Sequence, residues 1–379
     1  MMKILIVSNA EWACTGYGVQ TKNLVRGFTQ LGHKMAVFPF WGLQGGIMEY
    51  GGHSCYPLWS DIWGNDIFAN HARHFGADLV ISLMDVWVMH DDYGDLVRWI
   101  PWLPIDHSPA PEAIVNRLRK ALRVVAFSKF GVEQLENAGV KTDYVPHGVD
   151  TEAFKPLEIS RQGELKQKFG FPPDCFLIGM VAANKGWPCR KCFPEIFEAF
   201  SDFVRKYPKA RLYCHSECSN RYNGPDLQAM AQTFGIGEYI RFADPYMLNI
   251  GFSDEQMCEI YNAMDVLCAV SMGEGFGVPI LEAQASGTPV ITTDFSSMPE
   301  LTAAGWKVPP ARRWWTPLKA FQVLPNIDEI VNAFEKAYDT DLKKLGEIGR
   351  EFAQGYRWDK IIREGWKPIL DSVEPIKYT

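Results

Sequence analysis

Residues 265–301 read DVLCAVSMGEGFGVPILEAQASGTPVITTDFSSMPEL, and their order decides the fold. Residues 266–270 (VLCAV) form an unbroken apolar run, the mark of a strand buried on both faces. Gly273, Gly275 and Gly277 then open a loop. Pro279 stands where a helix tolerates proline, near its first turn. Gly287 ends that helix, with Pro289 just beyond. Residues 289–292 resume a strand. Strand, glycine loop, helix and strand predict one unit of a parallel sheet.

The same alternation extends outward in both directions. Upstream, residues 176–181 (FLIGMV), 210–215 and 239–242 read as strands, with helices predicted over 193–206, 226–234, 254–263 and 279–285. Nearer the start, 3–8 (KILIVS), 35–38, 78–83, 124–127 and 144–145 are strand candidates. A glycine loop at 15–18 (TGYG) precedes a helix predicted over 19–31. Residues 150–157 read as a connector, which argues for two doubly wound domains rather than one barrel. The expected α/β organisation is two Rossmann-like domains, 1–155 and 156–350, facing a cleft where ligands meet the carboxyl ends of the strands. Residues 351–379 carry a helical stripe of Trp358, Ile361, Ile362 and Trp366, which reads as packing surface.

Composition narrows the partners. A net charge of −7 and no Lys/Arg-rich run disfavour a grip on a phosphate backbone, leaving a nucleic-acid acceptor as a subordinate case. The nine cysteines are scattered, and the pairs Cys189/Cys192 and Cys214/Cys218 lack the second half that zinc spacing requires, so reduced thiols and no metal are expected. The five-residue apolar run near the start is too short for a signal peptide, and no later run approaches the ~18 apolar residues of a membrane span. These features predict a soluble, cytoplasmic protein, at most peripheral to a membrane.

The glycines of 273–277 let a backbone approach a ligand, and the N–H groups of the helix start favour an anion. Glu274 lies in the loop and Glu282 within the helix. Two carboxylates beside an anion site suit a ligand with vicinal hydroxyls, such as ribose or a hexose. Acid/base work on a bare glycan is the competing idea, and the phosphate-type cradle argues against it.

The E-x7-E arrangement within EGFGVPILEAQASGTPV, preceded by Tyr261-Asn262-Ala263-Met264-Asp265, resembles family 4 of the retaining GT-B glycosyltransferases (glycosyltransferase group 1). The resemblance implies a C-terminal segment crossing back to the first domain. It places Glu274 at the donor sugar, Glu282 at the ribose, and the backbone of Gly275, Phe276, Gly277 and Val278 at the sugar and diphosphate. Gly16 and Gly18 match the family's N-terminal glycine loop near the diphosphate. Lys191 falls at the family's diphosphate lysine, whereas residues 182–186 (AANKG) replace the usual Gly-Arg, so Arg190 or Lys185 supplies the second cation. Across the cleft the family places a His or an Asp at the sugar. Asp106 and His107 both stand there, and in an extended segment only one would face the donor.

The implied reaction transfers a hexosyl or pentosyl group, with retention, from a UDP- or GDP-sugar to a hydroxyl on a glycan, lipid, small molecule or modified base. No cofactor is implied and no metal, since the cations would take its place and no DxD motif with metal-ligand spacing occurs. A catalytically silent nucleotide-sugar binder and a DNA-base-modifying glycosyltransferase are the alternatives.

Overall fold

The computed structural model describes residues 1–375, which form two compact units. The first comprises Met1–Gly148, Thr316–Ala320 and the segment from Trp358 onward, and the second Val149–Trp315 and Phe321–Arg357. Residues 376–379 of the predicted C-terminal segment lie outside the described residues.

The first unit is built on eight strands: β1 (Lys3–Asn9), β2 (Lys34–Trp41), β3 (Met48–Tyr50), β4 (His53–Cys55), β5 (Leu79–Leu83), β6 (Trp99–Leu103), β7 (Val125–Ala126) and β8 (Asp143–Tyr144). Their order is β3-β4-β2-β1-β5-β6-β7-β8, and only the β3–β4 pair is antiparallel. The central strand β1 has Ile4, Leu5, Ile6 and Val7 at 1% exposure or less, as its continuous apolar run demands. The C-terminal segment belongs to this unit. Its π-helical turn Ile361–Trp366 seats Trp366 fully buried, 5.4 Å from the rings of both Phe28 and Trp102.

The second unit has six parallel strands: β9 (Phe176–Val181), β10 (Ala210–His215), β11 (Ile240–Phe242), β12 (Val266–Ala269), β13 (Val290–Thr293) and β14 (Gly305–Val308). Their order, β11-β10-β9-β12-β13-β14, reverses direction between β9 and β12, the arrangement that opens a ligand crevice beyond the strand ends. A separate antiparallel hairpin, β15 (Pro310–Trp315) and β16 (Phe321–Pro325), escaped the sequence reading because the residues of its first strand are mostly exposed and show no alternation. Helix Ile327–Tyr338 covers helix Phe193–Lys206, with Phe334 and Phe203 5.5 Å apart.

The units divide at 148/149 and 357/358, a few residues from the sequence-based breaks at 155/156 and 350/351. Hydrogen bonds move both breaks. The Val149 amide donates to the Tyr356 carbonyl (2.9 Å), and the Arg350 guanidinium donates to the carbonyls of Thr151 (2.8 Å) and Phe154 (2.7 Å). The connector and residues 351–357 therefore both belong to the second unit. The helix predicted over 19–31 also starts earlier, at Gly16, so the glycines of TGYG form its first turn rather than a preceding loop. The cause is the Thr15 hydroxyl, which caps the helix by accepting from the Gly18 amide at 3.0 Å.

Candidate active site

At the carboxyl end of β12 the chain turns through residues 271–277 into helix Val278–Ala285. Gly277 caps this helix at φ +109°, a conformation that L side chains rarely adopt. Serines hold the loop from behind. The Glu274 amide donates to Ser296 Oγ at 2.9 Å, and Ser297 Oγ donates to the carbonyls of Glu274 (2.8 Å) and Phe276 (2.6 Å). Ser271 Oγ bridges the carbonyls of Arg190 and Gly273 at 3.0 and 3.1 Å.

Glu274 is the electrostatic centre of this loop. Its Oε1 lies 2.5 Å from Lys191 Nζ and its Oε2 3.1 Å from an Arg190 guanidinium nitrogen, with the carboxylate side chain 12% exposed. Burial by itself would raise the carboxyl, but the charges of Arg190 and Lys191 and their hydrogen bonds outweigh it and hold the group at about 2. Arg190 also donates to the Gly273 carbonyl, and the Met272 amide returns a bond to the Arg190 carbonyl at 2.8 Å. The two cations thus arrive from the segment after β9 as one clamp.

Two non-glycine residues at this site occupy left-handed backbone. Ser296, at φ +56°, accepts the Glu274 amide, and Cys192, at φ +53°, follows Lys191 and begins helix Phe193–Lys206. Such residues pay about 1–2 kcal/mol for the conformation; here one holds the Glu274 backbone and the other follows the Lys191 that pairs with its carboxylate.

Glu282 lies one turn into helix Val278–Ala285 and has a different partner. The Tyr261 hydroxyl donates to its Oε2 at 2.8 Å. Burial pushes this carboxyl up to about 7; the Tyr261 hydrogen bond works against the rise and Asp254 adds to it. The other residues of the 261–265 segment are structural. Asn262 bonds the Lys155 carbonyl and the Leu157 amide, and Asp265 takes Lys166 at 2.7 Å and the Leu177 amide at 2.6 Å.

Of the two alternatives for the second cation, the structure brings Arg190 to Glu274. Lys185 is exposed, its Nζ 5.6 Å from the Tyr222 ring centroid. In the first unit, Asp106 and His107 do not point opposite ways. The strand ends at Leu103, so the alternation of extended backbone no longer applies, and His107 Nδ1 meets Asp106 Oδ1 at 2.6 Å. Gly18 leaves no room for a side chain, since a Cβ there would sit 2.2 Å from the Ala13 carbonyl oxygen, whereas one at Gly16 would meet nothing within 4 Å. His147 is a packing residue, 4.1 and 4.4 Å from the rings of Phe127 and Trp102.

Residues 177–317, which contain the clamp, the glycine loop and both glutamates, match the family model described as glycosyl transferases group 1. Over those residues the chain resembles a group 1 glycosyltransferase. An uncharacterized glycosyltransferase of Sulfolobus islandicus rod-shaped virus 1 is 28% identical over 208 residues, covering 54% of this chain and 57% of the viral protein. The chain spans about a third to a little over half the length of the curated relatives it matches. Among solved structures, sucrose-phosphate synthase from Thermosynechococcus elongatus superposes with a TM-score of 0.74 at 17% identity, covering 98% of this chain and 99% of that one. Anabaena HepE in complex with UDP and glucose superposes with a TM-score of 0.72 at 16% identity, covering 98% and 100%. These likenesses show a GT-B fold of two Rossmann-like units.

The loop around Glu274 depends on residues that the sequence does not single out. Ser271, Ser296 and Ser297 act through main-chain atoms up to 81 positions away. A serine in a loop carries no signal of such a partner. Tyr261 stood in the quoted motif, but only the folded chain sets its hydroxyl on Glu282. Among the described residues no helix is long and apolar enough to cross a membrane.

Proposed function

We propose that this protein is a glycosyltransferase that moves a hexosyl or pentosyl group from a UDP- or GDP-sugar to a hydroxyl acceptor, with retention at the anomeric carbon and no metal at the reacting centre. The observation that carries the proposal is the Glu274 carboxylate held between Arg190 and Lys191 at the mouth of a glycine loop and helix start. A guanidinium has five N–H donors and an ammonium three. Glu274 fixes both groups beside the loop, where their charges can meet a diphosphate. As the bond from the anomeric carbon to the phosphate oxygen breaks, charge grows on the diphosphate where these cations and the helix start already stand. The acceptor oxygen forms its bond on the same face and its proton passes to the departing phosphate. Glu282 takes the ribose hydroxyls, and Glu274 turns its remaining lone pairs to the sugar.

Gly16 lies on open space at the start of its helix and suits the approach of a substrate phosphate. Asp106 and His107, paired at 2.6 Å, are the two candidates for the polar group at the sugar. The UDP in the Anabaena neighbour supports a uridine donor.

The test is a panel of UDP- and GDP-sugars with hydroxyl acceptors, read by release of nucleoside diphosphate and by the anomeric configuration of the product. One donor should release its diphosphate at a rate unchanged by added magnesium or manganese, and the product should keep the donor's configuration. No release with any donor, or an inverted product, would overturn the reading.

A further inference from the structure

We propose that Glu11, His53 and Cys55 form a zinc site in the first unit, separate from the residues assigned to sugar transfer. His53 and Cys55 are two positions apart on β4 and so share one face of the strand. Glu11 enters from the loop after β1. That loop is fixed by the Ala10 amide, which donates to the Trp41 carbonyl (2.8 Å), and by Trp12, whose Nε1 donates to the Gly42 carbonyl (3.2 Å). One ligand atom from each of the three residues lies within 4.8 Å of the other two. Glu11 and His53 have side chains only 6% and 7% exposed, and Cys55 is fully buried. Among the described residues, no other group of three such side chains converges in this way.

The donor set selects the metal. A thiolate, an imidazole and a carboxylate together suit zinc, whereas magnesium and calcium take oxygen donors. Tetrahedral zinc with its usual bond lengths spaces its ligand atoms roughly 3.3–3.8 Å apart. His53 Nε2 and Glu11 Oε1 now lie 2.5 Å apart, joined by a hydrogen bond, so the ion would enter by replacing that bond. Three protein ligands leave a fourth position for water or a ligand oxygen.

The experiment uses the full chain, purified and dialysed, with zinc measured by mass spectrometry and a cobalt(II) titration followed by absorption. About one zinc per chain is expected, and cobalt should give a thiolate charge-transfer band in the near ultraviolet with tetrahedral bands in the visible. Cys55→Ala should remove the charge-transfer band, and His53→Gln should weaken cobalt binding about tenfold or more. Should Cys55→Ala fail to fold, His53→Gln decides alone. Zinc far below one per chain with no cobalt–thiolate band would overturn the proposal. So would a band undiminished in the variants, since the metal would then sit on other cysteines. Neither measurement depends on sugar transfer.

Discussion

Glu274 and Glu282 stand eight positions apart on one loop-to-helix turn, yet their surroundings pull them in opposite directions. Burial penalises both carboxylates. At Glu274 two cations overcome the penalty and hold the group at about 2; at Glu282 one tyrosine hydroxyl does not, and the group rises to about 7. The first is a fixed anion across the working pH range. The second changes charge near neutrality, so it can accept from hydroxyls as a carboxylate or donate to a ligand when protonated. Identical side chains in one motif therefore differ in charge because of their neighbours.

The largest effect should come from breaking the first site. Glu274→Ala removes the anchor of both cations, and turnover should fall by a hundredfold or more, on the scale of a misplaced catalytic group. Circular dichroism should show a folded chain, and steady-state release of nucleoside diphosphate measures the loss. A variant at the wild-type rate would end the site assignment.

The two glutamates should also leave opposite marks on stability against pH. The folded-state value of Glu274 lies below the unfolded one, so its contribution is present above about pH 4.5 and is lost as pH falls towards 2. The folded-state value of Glu282 lies above, so its contribution is present below about pH 4.5 and is lost as pH rises to 7. Each amounts to a few kcal/mol at most, roughly 1.4 per unit of displacement. Urea midpoints measured from pH 3 to 8 should draw together for wild type and Glu274→Gln towards the acid end. For Glu282→Gln the variant should gain on wild type as pH rises from about 4.5 to 7. The same slope in both variants would show that their environments do not differ as described.

A smaller kinetic effect should follow Glu282→Gln. The amide keeps the shape and one acceptor but loses the charge, which predicts a donor KM raised about tenfold with kcat little changed, as for one charged hydrogen bond. A drop confined to kcat would move Glu282 from binding to chemistry. The least effect belongs to Lys185→Ala. Exposed against Tyr222, it should change donor kinetics by no more than about twofold. A loss near that of Glu274→Ala would return Lys185 to the diphosphate.

Much of the second unit's framework was legible in the chain. The apolar runs at 176–181, 210–215 and 266–270 carry their period locally, and glycine and proline mark the ends of helix Val278–Ala285 within a few residues. Both glutamates stand out through motif spacing, and Lys191 through the family resemblance. The hairpin β15–β16 was not, because exposed strands lack a hydrophobic period. The choice between Arg190 and Lys185 was equally hidden, since both are cations a few residues after the same strand.

By itself, the sequence determined the two runs of strand and helix and the loop that presents Glu274. Those follow from hydrophobic period and backbone stereochemistry, which act over a few neighbouring residues. Only the tertiary structure decided that Arg190 and Lys191 close on Glu274, that Tyr261 faces Glu282, and that Asp106 pairs with its own neighbour, His107. A carboxyl's charge depends on what lies within a few ångströms of it, and the fold brings Lys191 to Glu274 from 83 positions away.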